Sequence, residues 1–217
     1  MVKSESNYDR KFFKKWSHDM AYILGFIFAD GNLVKSKRGT HYLAIYTNDK
    51  GLLEGMCMKM KVLNKISLKK SKLGSGYRVQ IGSKELFNDL ARYNLTPNKS
   101  KRLKFPKLPK KYVGDFIRGY FDGDGCVWLG YAHKTRVKQT LSLQVSFTSA
   151  SHKFLECLLY LLNTHKVKGG SLFRSKKGGY SRLIFGMAAS LKIYKIMYNG
   201  PCELFLHRKR LIFEKIH

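Results

Sequence analysis

Two segments of the chain match in register, residue for residue, between Ile23–Gly31 and Ile117–Gly125. The first reads Ile23-Leu24-Gly25-Phe26-Ile27-Phe28-Ala29-Asp30-Gly31, the second Ile117-Arg118-Gly119-Tyr120-Phe121-Asp122-Gly123-Asp124-Gly125. Each is an apolar helical run that closes on Asp-Gly, and the residues after each run match too. A basic turn (35–39; 133–138) precedes a strand-like run (42–47; 141–148), then a helix (50–60; 152–163), a hairpin (68–80; 171–185) and a short helix (84–92; 191–198). Three prolines, Pro97, Pro106 and Pro109, mark an extended connector. The expected fold is therefore α+β, an αββαββα unit written twice. Its boundaries are 1–94 for the first repeat, 95–111 for the linker and 112–217 for the second repeat.

Small residues at helical spacing explain how the two copies could meet. Ala21, Gly25 and Ala29 form one stripe, Asp115, Gly119 and Gly123 the other. A mid-helix glycine costs about 1 kcal/mol relative to alanine, and close approach of two backbones is the natural compensation. Matched register would then bring Asp30 and Asp124 to the same end. A carboxylate at a helix C-terminus opposes the dipole, and two carboxylates about 4 Å apart repel by about 4 kcal/mol at an effective dielectric of about 20. A divalent cation with oxygen ligands answers both problems. Asp-Gly alone is an ordinary turn dipeptide; its in-register duplication among only 14 acids points to a site.

Those 14 acids face 42 Lys and Arg in 217 residues, a formal charge of +28. Such a surplus calls for a polyanion, nucleic acid before an anionic membrane. No run approaches a membrane span, the start is polar, and an intracellular protein is expected, with bacterial, archaeal and organellar compartments all open. Cys57, Cys126, Cys157 and Cys202 lack zinc-ligand spacing and read as buried small apolar residues.

At these motifs the sequence resembles the LAGLIDADG homing endonucleases in their single-chain, two-motif form. Gly25, Ala29, Asp30 and Gly31 carry the likeness in the first copy; Gly119, Asp122, Asp124 and Gly125 carry it in the second. Asn98-Lys99-Ser100-Lys101-Arg102-Leu103-Lys104-Phe105-Pro106 also resembles a family segment. The resemblance implies a monomeric pseudo-dimer with motif helices at its centre and two curved antiparallel sheets forming a DNA-binding saddle. It implies metal-assisted hydrolysis of both strands of a long, near-palindromic duplex, leaving 3′ overhangs. Mg²⁺, with Mn²⁺ or Ca²⁺ as possible occupants, would be held by Asp30 and Asp124 and the carbonyls of Ala29 and Gly123. By the same resemblance Lys99 and Lys209, with Arg208 as the alternative to Lys209, offset phosphate charge, and Asn48 and Ser149 position water. The earlier acidic position of the motif is Phe28 in one copy and Asp122 in the other; Asp30, Asp122 and Asp124 together mark where cutting is expected.

Basic clusters sit on every expected hairpin: Lys35, Lys37 and Arg38; Lys69, Lys70 and Lys72; Lys134, Arg136 and Lys138; Arg174, Lys176 and Lys177. These suit phosphate contacts. Arg78, Gln80, Gln139, Gln144 and Arg182 are base-reading candidates. Because the halves differ at these positions, an asymmetric target is expected. The alternative is a cleavage-deficient DNA- or RNA-binding protein on the same scaffold, an intron maturase or a regulator. The 203–216 tail reads as a helix that packs on the second half or touches DNA.

Overall fold

The computed structural model describes residues 7–71, 74–132, 139–176 and 178–216. Helix α1 (His18–Asp30) runs straight into strand β1 (Gly31–Lys35), followed by β2 (His41–Thr47), α2 (Lys50–Lys59), β3 (Ser67–Ser71), β4 (Gly74–Gly82) and α3 (Lys84–Ala91). The second half repeats the order: α4 (Val113–Asp124), β5 (Gly125–Ala132), β6 (Thr140–Ser149), α5 (His152–Thr164), β7 (Ser171–Arg174), β8 (Ser181–Phe185) and α6 (Met187–Tyr198), then α7 (His207–Glu214). Each half holds one antiparallel sheet, in the orders β1-β2-β4-β3 and β5-β6-β8-β7. This is the expected α+β saddle of two pseudo-symmetric repeats.

Local chemistry sets the helix starts. Ser17, Asp49, Ser83 and Ser151 each accept a hydrogen bond from a first-turn amide of the helix they precede. Helix α1 is buried on all sides from Met20 to Phe28, as befits an element at the centre of the molecule. It crosses α4 where the two glycines lie. A Cβ added at Gly25 would sit 2.1 Å from the Phe116 carbonyl oxygen, and one at Gly119 would sit 1.9 Å from that of Tyr22. Only a hydrogen fits at either position.

Around this crossing the pseudo-symmetry is broken in a specific way. Phe28 packs edge-on against Phe116, with ring centroids 5.2 Å apart. At the matched positions of the other half, the Tyr22 hydroxyl donates to Asp122 Oδ2 at 2.7 Å. Arg118 extends this polar side, donating to Asp115, to Met197 O and to Leu204 O, with its guanidinium 5.2 Å from the Tyr22 ring centre. His18 meets the second oxygen of Asp115 at 2.7 Å. Asp115 thus belongs to a buried ion-pair network rather than to the small-residue stripe. An aromatic contact on one side and a hydrogen-bonded network on the other make the halves non-interchangeable.

Two expectations need correction. Only Cys57 is buried; Cys126 and Cys157 are exposed and Cys202 is intermediate, because 126 and 157 fall on the outward faces of β5 and α5. The tail is helical only from His207 to Glu214, and it packs on the second half through Phe213, which stacks on Tyr194. Among the described residues no helix is long and apolar enough to cross a membrane.

Candidate active site and nucleic-acid interface

Each motif acid is the last residue of its helix and is followed at once by the first strand of its sheet. The crossing therefore delivers both acids to one place, with a sheet starting on either side. A Cβ at Gly123 would lie 2.3 Å from Ala29 Cβ and 3.2 Å from Asp30 Oδ2, so the second motif helix reaches the first acid directly. Burial, then the Asp124 charge, pushes the Asp30 carboxyl up to about 6, with Lys99 and Lys209 opposing. Burial likewise raises Asp124 against the pull of the same two lysines.

The lysines come from far away in sequence and occupy matching places. Lys99, in a 3-10 turn of the connector, donates to Phe28 O at 2.7 Å and Ala29 O at 3.1 Å. Lys209, on α7, donates to Phe121 O, Asp122 O and Gly125 O at 2.6, 2.9 and 2.7 Å. Each neutralises the negative end of a motif helix. Burial draws both ammonium groups down to about 8. An ammonium has three N–H donors; Lys209 spends all three on carbonyls, whereas Lys99 spends two on acceptors among the described residues. Arg208 is exposed beside it, so Lys209 and not Arg208 is the counterpart of Lys99.

Asp122 does not share the pocket of Asp30 and Asp124. Besides Tyr22, its Oδ2 accepts from Leu206 N at 2.9 Å, and it is 3 % exposed. Its Oδ1 has no partner among the described residues. Burial raises its pKa. One residue of helical turn separates it from Gly123 and points it into the interface, where it is a tie between α1, α4 and the tail rather than a metal ligand.

Strand register also separates Asn48 from Ser149. Gly31 pairs with Ile45 and Gly125 with Phe147, which makes Thr47 the match of Ser149 and Ala150 the match of Asn48. The hydroxyls of Thr47 and Ser149 both accept the amide two residues on, leading into a capped helix. Ser149 is buried, while Asn48 is exposed and its Oδ1 would meet a Cβ at Gly76 at 2.8 Å. Only the first half presents an amide there.

Among the described residues no three His, Cys, Asp or Glu side chains form a cage. The two carboxylates nonetheless fit a hard divalent cation, since each is disfavoured as an anion by burial and, for Asp30, by its neighbour. The rest of an oxygen shell would come from main-chain carbonyls, water and phosphate. The Ala29 carbonyl already accepts from Lys99 and retains a second lone pair.

The metal-free protein gives a direct check. A carboxyl raised from 3.8 to about 6 contributes stability below pH 4 that is lost as pH rises through about 6. Asp30→Asn is expected to be more stable than the parent at pH 8 without metal, by about 1–2 kcal/mol after allowance for partial exposure. The gap should close at pH 4 and narrow when Mg²⁺ is added, read by thermal melts.

The outward sheet faces carry the other candidates. Lys35, Lys37, Arg38, Lys69, Lys70, Gln80, Gln139, Gln144, Arg174, Lys176 and Arg182 are exposed and Arg78 is half-buried. Pairing puts Arg78 beside Tyr46, Gln80 beside Ala44, Gln144 beside Trp128 and Arg182 beside Thr148, all facing away from the helices. Arg174 pairs with buried Ser181 and so lies on the opposite face, in a cleft of about 930 Å³ lined also by Lys101, Arg102 and Lys153. Lys72, Lys134, Arg136, Lys138 and Lys177 lie outside the described residues. Missing from the expected set are Tyr46, Trp128 and Phe173, large side chains 38, 44 and 55 % exposed on the same outward faces. Strand alternation from the buried residues would have found them.

Residues 111–197 match the LAGLIDADG-like domain family. The chain is 28 % identical over 182 residues to a probable translation initiation factor IF-2 of Thermococcus kodakarensis, covering 80 % of this chain and 14 % of that protein. It is 31 % identical over 116 residues to the uncharacterized protein MJ0398 of Methanocaldococcus jannaschii, covering 51 % of this chain and 40 % of that one. It thus spans well under half the length of either relative. Its fold is that of the I-SmaMI LAGLIDADG homing endonuclease bound to cleaved DNA, with a TM-score of 0.61 at 16 % identity over 93 % of this chain and 89 % of that one. I-SmaMI also has a structure on uncleaved DNA in the presence of calcium ions. With two matched motif helices crossing glycine to glycine and a saddle sheet on each, the chain carries a LAGLIDADG-like domain at 111–197 and has, over nearly its whole length, the fold of the single-chain LAGLIDADG homing endonucleases.

Proposed function

We propose that the chain is a divalent-metal-dependent, site-specific endonuclease acting as a monomer on double-stranded DNA, cutting both strands of a long, asymmetric, near-palindromic target to leave 3′ overhangs, as in intron homing. The observation that carries this reading is the convergence of Asp30 and Asp124, with Lys99 and Lys209, between two outward sheet faces in a chain of charge +28. Asp30 and Asp124 would hold Mg²⁺, with the Ala29 and Gly123 carbonyls as neighbouring donors. The cation would supply Lewis-acid polarisation of the phosphate and a more acidic attacking water. Lys99, with two of its three N–H donors on carbonyls among the described residues, holds positive charge beside the leaving 3′ oxygen. Asn48 offers an amide to orient water in the first half, where the matching residue of the second is Ala150.

The test is cleavage of duplexes drawn from a random library, with Mg²⁺ and with excess chelator. Linearisation in Mg²⁺ alone is expected; tight binding with no cutting under any divalent metal would favour the cleavage-deficient alternative. Binding itself should fall steeply with salt, with a log-log slope of about −0.9 per neutralised phosphate. Six or more contacts give a loss of about 10³-fold between 50 and 200 mM salt; filter binding at four salt concentrations measures it.

A further inference from the structure

The two sheets carry matched strands, so their outward faces can be compared position by position. Arg78 and Arg182 correspond, since the strands pair Ile45 with Val79 and Phe147 with Leu183. From there, Asn32 corresponds to Cys126, Val34 to Trp128, Ser67 to Phe173 and Gln80 to Ile184. Three of these four places, all on the strands to either side of β2 and β6, change from polar to apolar, and the fourth exchanges a small apolar side chain for the largest one; along β2 and β6 the change runs the other way, from Tyr42, Ala44 and Tyr46 to Gln144, Ser146 and Thr148. On the first face Arg78 Nη2 donates to Gln80 Oε1, which ties the guanidinium to the Gln80 side chain and leaves the amide nitrogen of Gln80 out of that bond. On the second face the Trp128 ring packs over Gly130, where a Cβ would come within 2.6 Å of it. Phe173 stands beside Arg182, whose guanidinium is 5.8 Å from the Tyr180 ring centre.

Apolar side chains in the major groove have one base group to recognise, the thymine C5 methyl, whereas Arg and Gln read guanine and adenine edges. We infer that the strands to either side of β2 and β6 read their half-sites by different chemistry: in the second repeat Trp128 and Phe173 select thymines by their methyl groups, beside Gln144 and Arg182, whereas in the first repeat Arg78 and Gln80 select purines. This rests on the proposal that the chain binds duplex DNA across both sheets, and it adds which half of the target carries which bases.

The experiment starts from duplexes selected for binding out of a random library. Thymine enrichment at two or more positions, confined to one half, is expected, and selection with Trp128→Ala or Phe173→Ala should lose it at one position each. In a single selected duplex, deoxyuridine in place of thymine removes only the methyl. The expected cost is about four-fold in affinity at each contacted position, and no cost at that position in the matching alanine variant. Deoxyuridine in the other half should be neutral, while 7-deazaguanine there should weaken binding. Bound duplexes without thymine bias, or deoxyuridine tolerated throughout by the parent protein, overturn the inference and leave the endonuclease reading standing. Failure to bind any duplex overturns the endonuclease reading, and this inference with it.

Discussion

Asparagine at position 30 or 124 is expected to abolish double-strand cleavage, lowering the rate by at least about 10²–10³-fold, the cost of removing one preorganised electrostatic group from a reacting centre. The substitution keeps shape and hydrogen bonding but removes the charge that would hold a cation, in a place where the remaining donors are neutral carbonyls and one acid. Loss of one acid leaves the phosphate it serves uncut while the other can still be attacked, so nicked product is the most a single variant should form. Binding should survive, because the lysines proposed to contact phosphates lie on the sheets and their turns, away from the two acids, and a negative charge has been removed. Supercoiled plasmid carrying a selected target reads cleavage, and gel shift reads binding. An Asp30→Asn protein that linearises plasmid at the parent rate would remove Asp30 from the site.

Valine at Gly119 or Gly25 should produce the largest loss of stability anywhere in the chain. The added carbon at 119 would stand 1.9 Å from a main-chain oxygen of α1, and at 25 it would stand 2.1 Å from one of α4. Neither obstacle is a side chain that can rotate away. The helices must separate, opening voids among Tyr22, Phe26, Phe116 and Tyr120, all under 2 % exposed. A cost of at least about 4 kcal/mol is expected, about 8–16 °C in Tm for a chain of this size. Gly200, where an added Cβ would meet nothing within 4 Å, serves as the control, and Gly200→Ala should melt within about 1 °C of the parent. Because the same crossing sets the spacing of Asp30 and Asp124, Gly119→Ala should lose cleavage even at temperatures where it remains folded.

Much of the architecture is legible in the sequence because it is written twice. Duplicated period-3.6 runs ending in Asp-Gly specify two buried helices, and mid-helix glycines at matching positions specify that these helices meet. The acids Asp30 and Asp124 follow from that register, and Lys99 and Lys209 follow from the resemblance. Strand faces do not follow, since a strand has period two and a single position of register exchanges the core side for the outward side. For that reason the sequence alone sets Ser149 against Asn48 although its true match is Thr47, and groups Arg174 with residues of the other face. Trp128, Phe173 and Tyr46 pass for core aromatics until their neighbours Val127, Leu172 and Ile45 take the inward places.

The sequence by itself determined two repeats, a central helix pair, a shared pair of acids and a strongly basic molecule, because each follows from local periodicity, duplication or composition. Tertiary structure alone decided that Asp122 ties α4 to Tyr22 and Leu206 while Asp124, two residues on, stays partly exposed and acts on Asp30. It alone decided that, among the described residues, Lys99 meets two carbonyls where Lys209 meets three. Both outcomes depend on carbonyls and side chains brought together across 70 to 100 residues of chain, and such long-range contacts leave no periodic trace in the residues that make them.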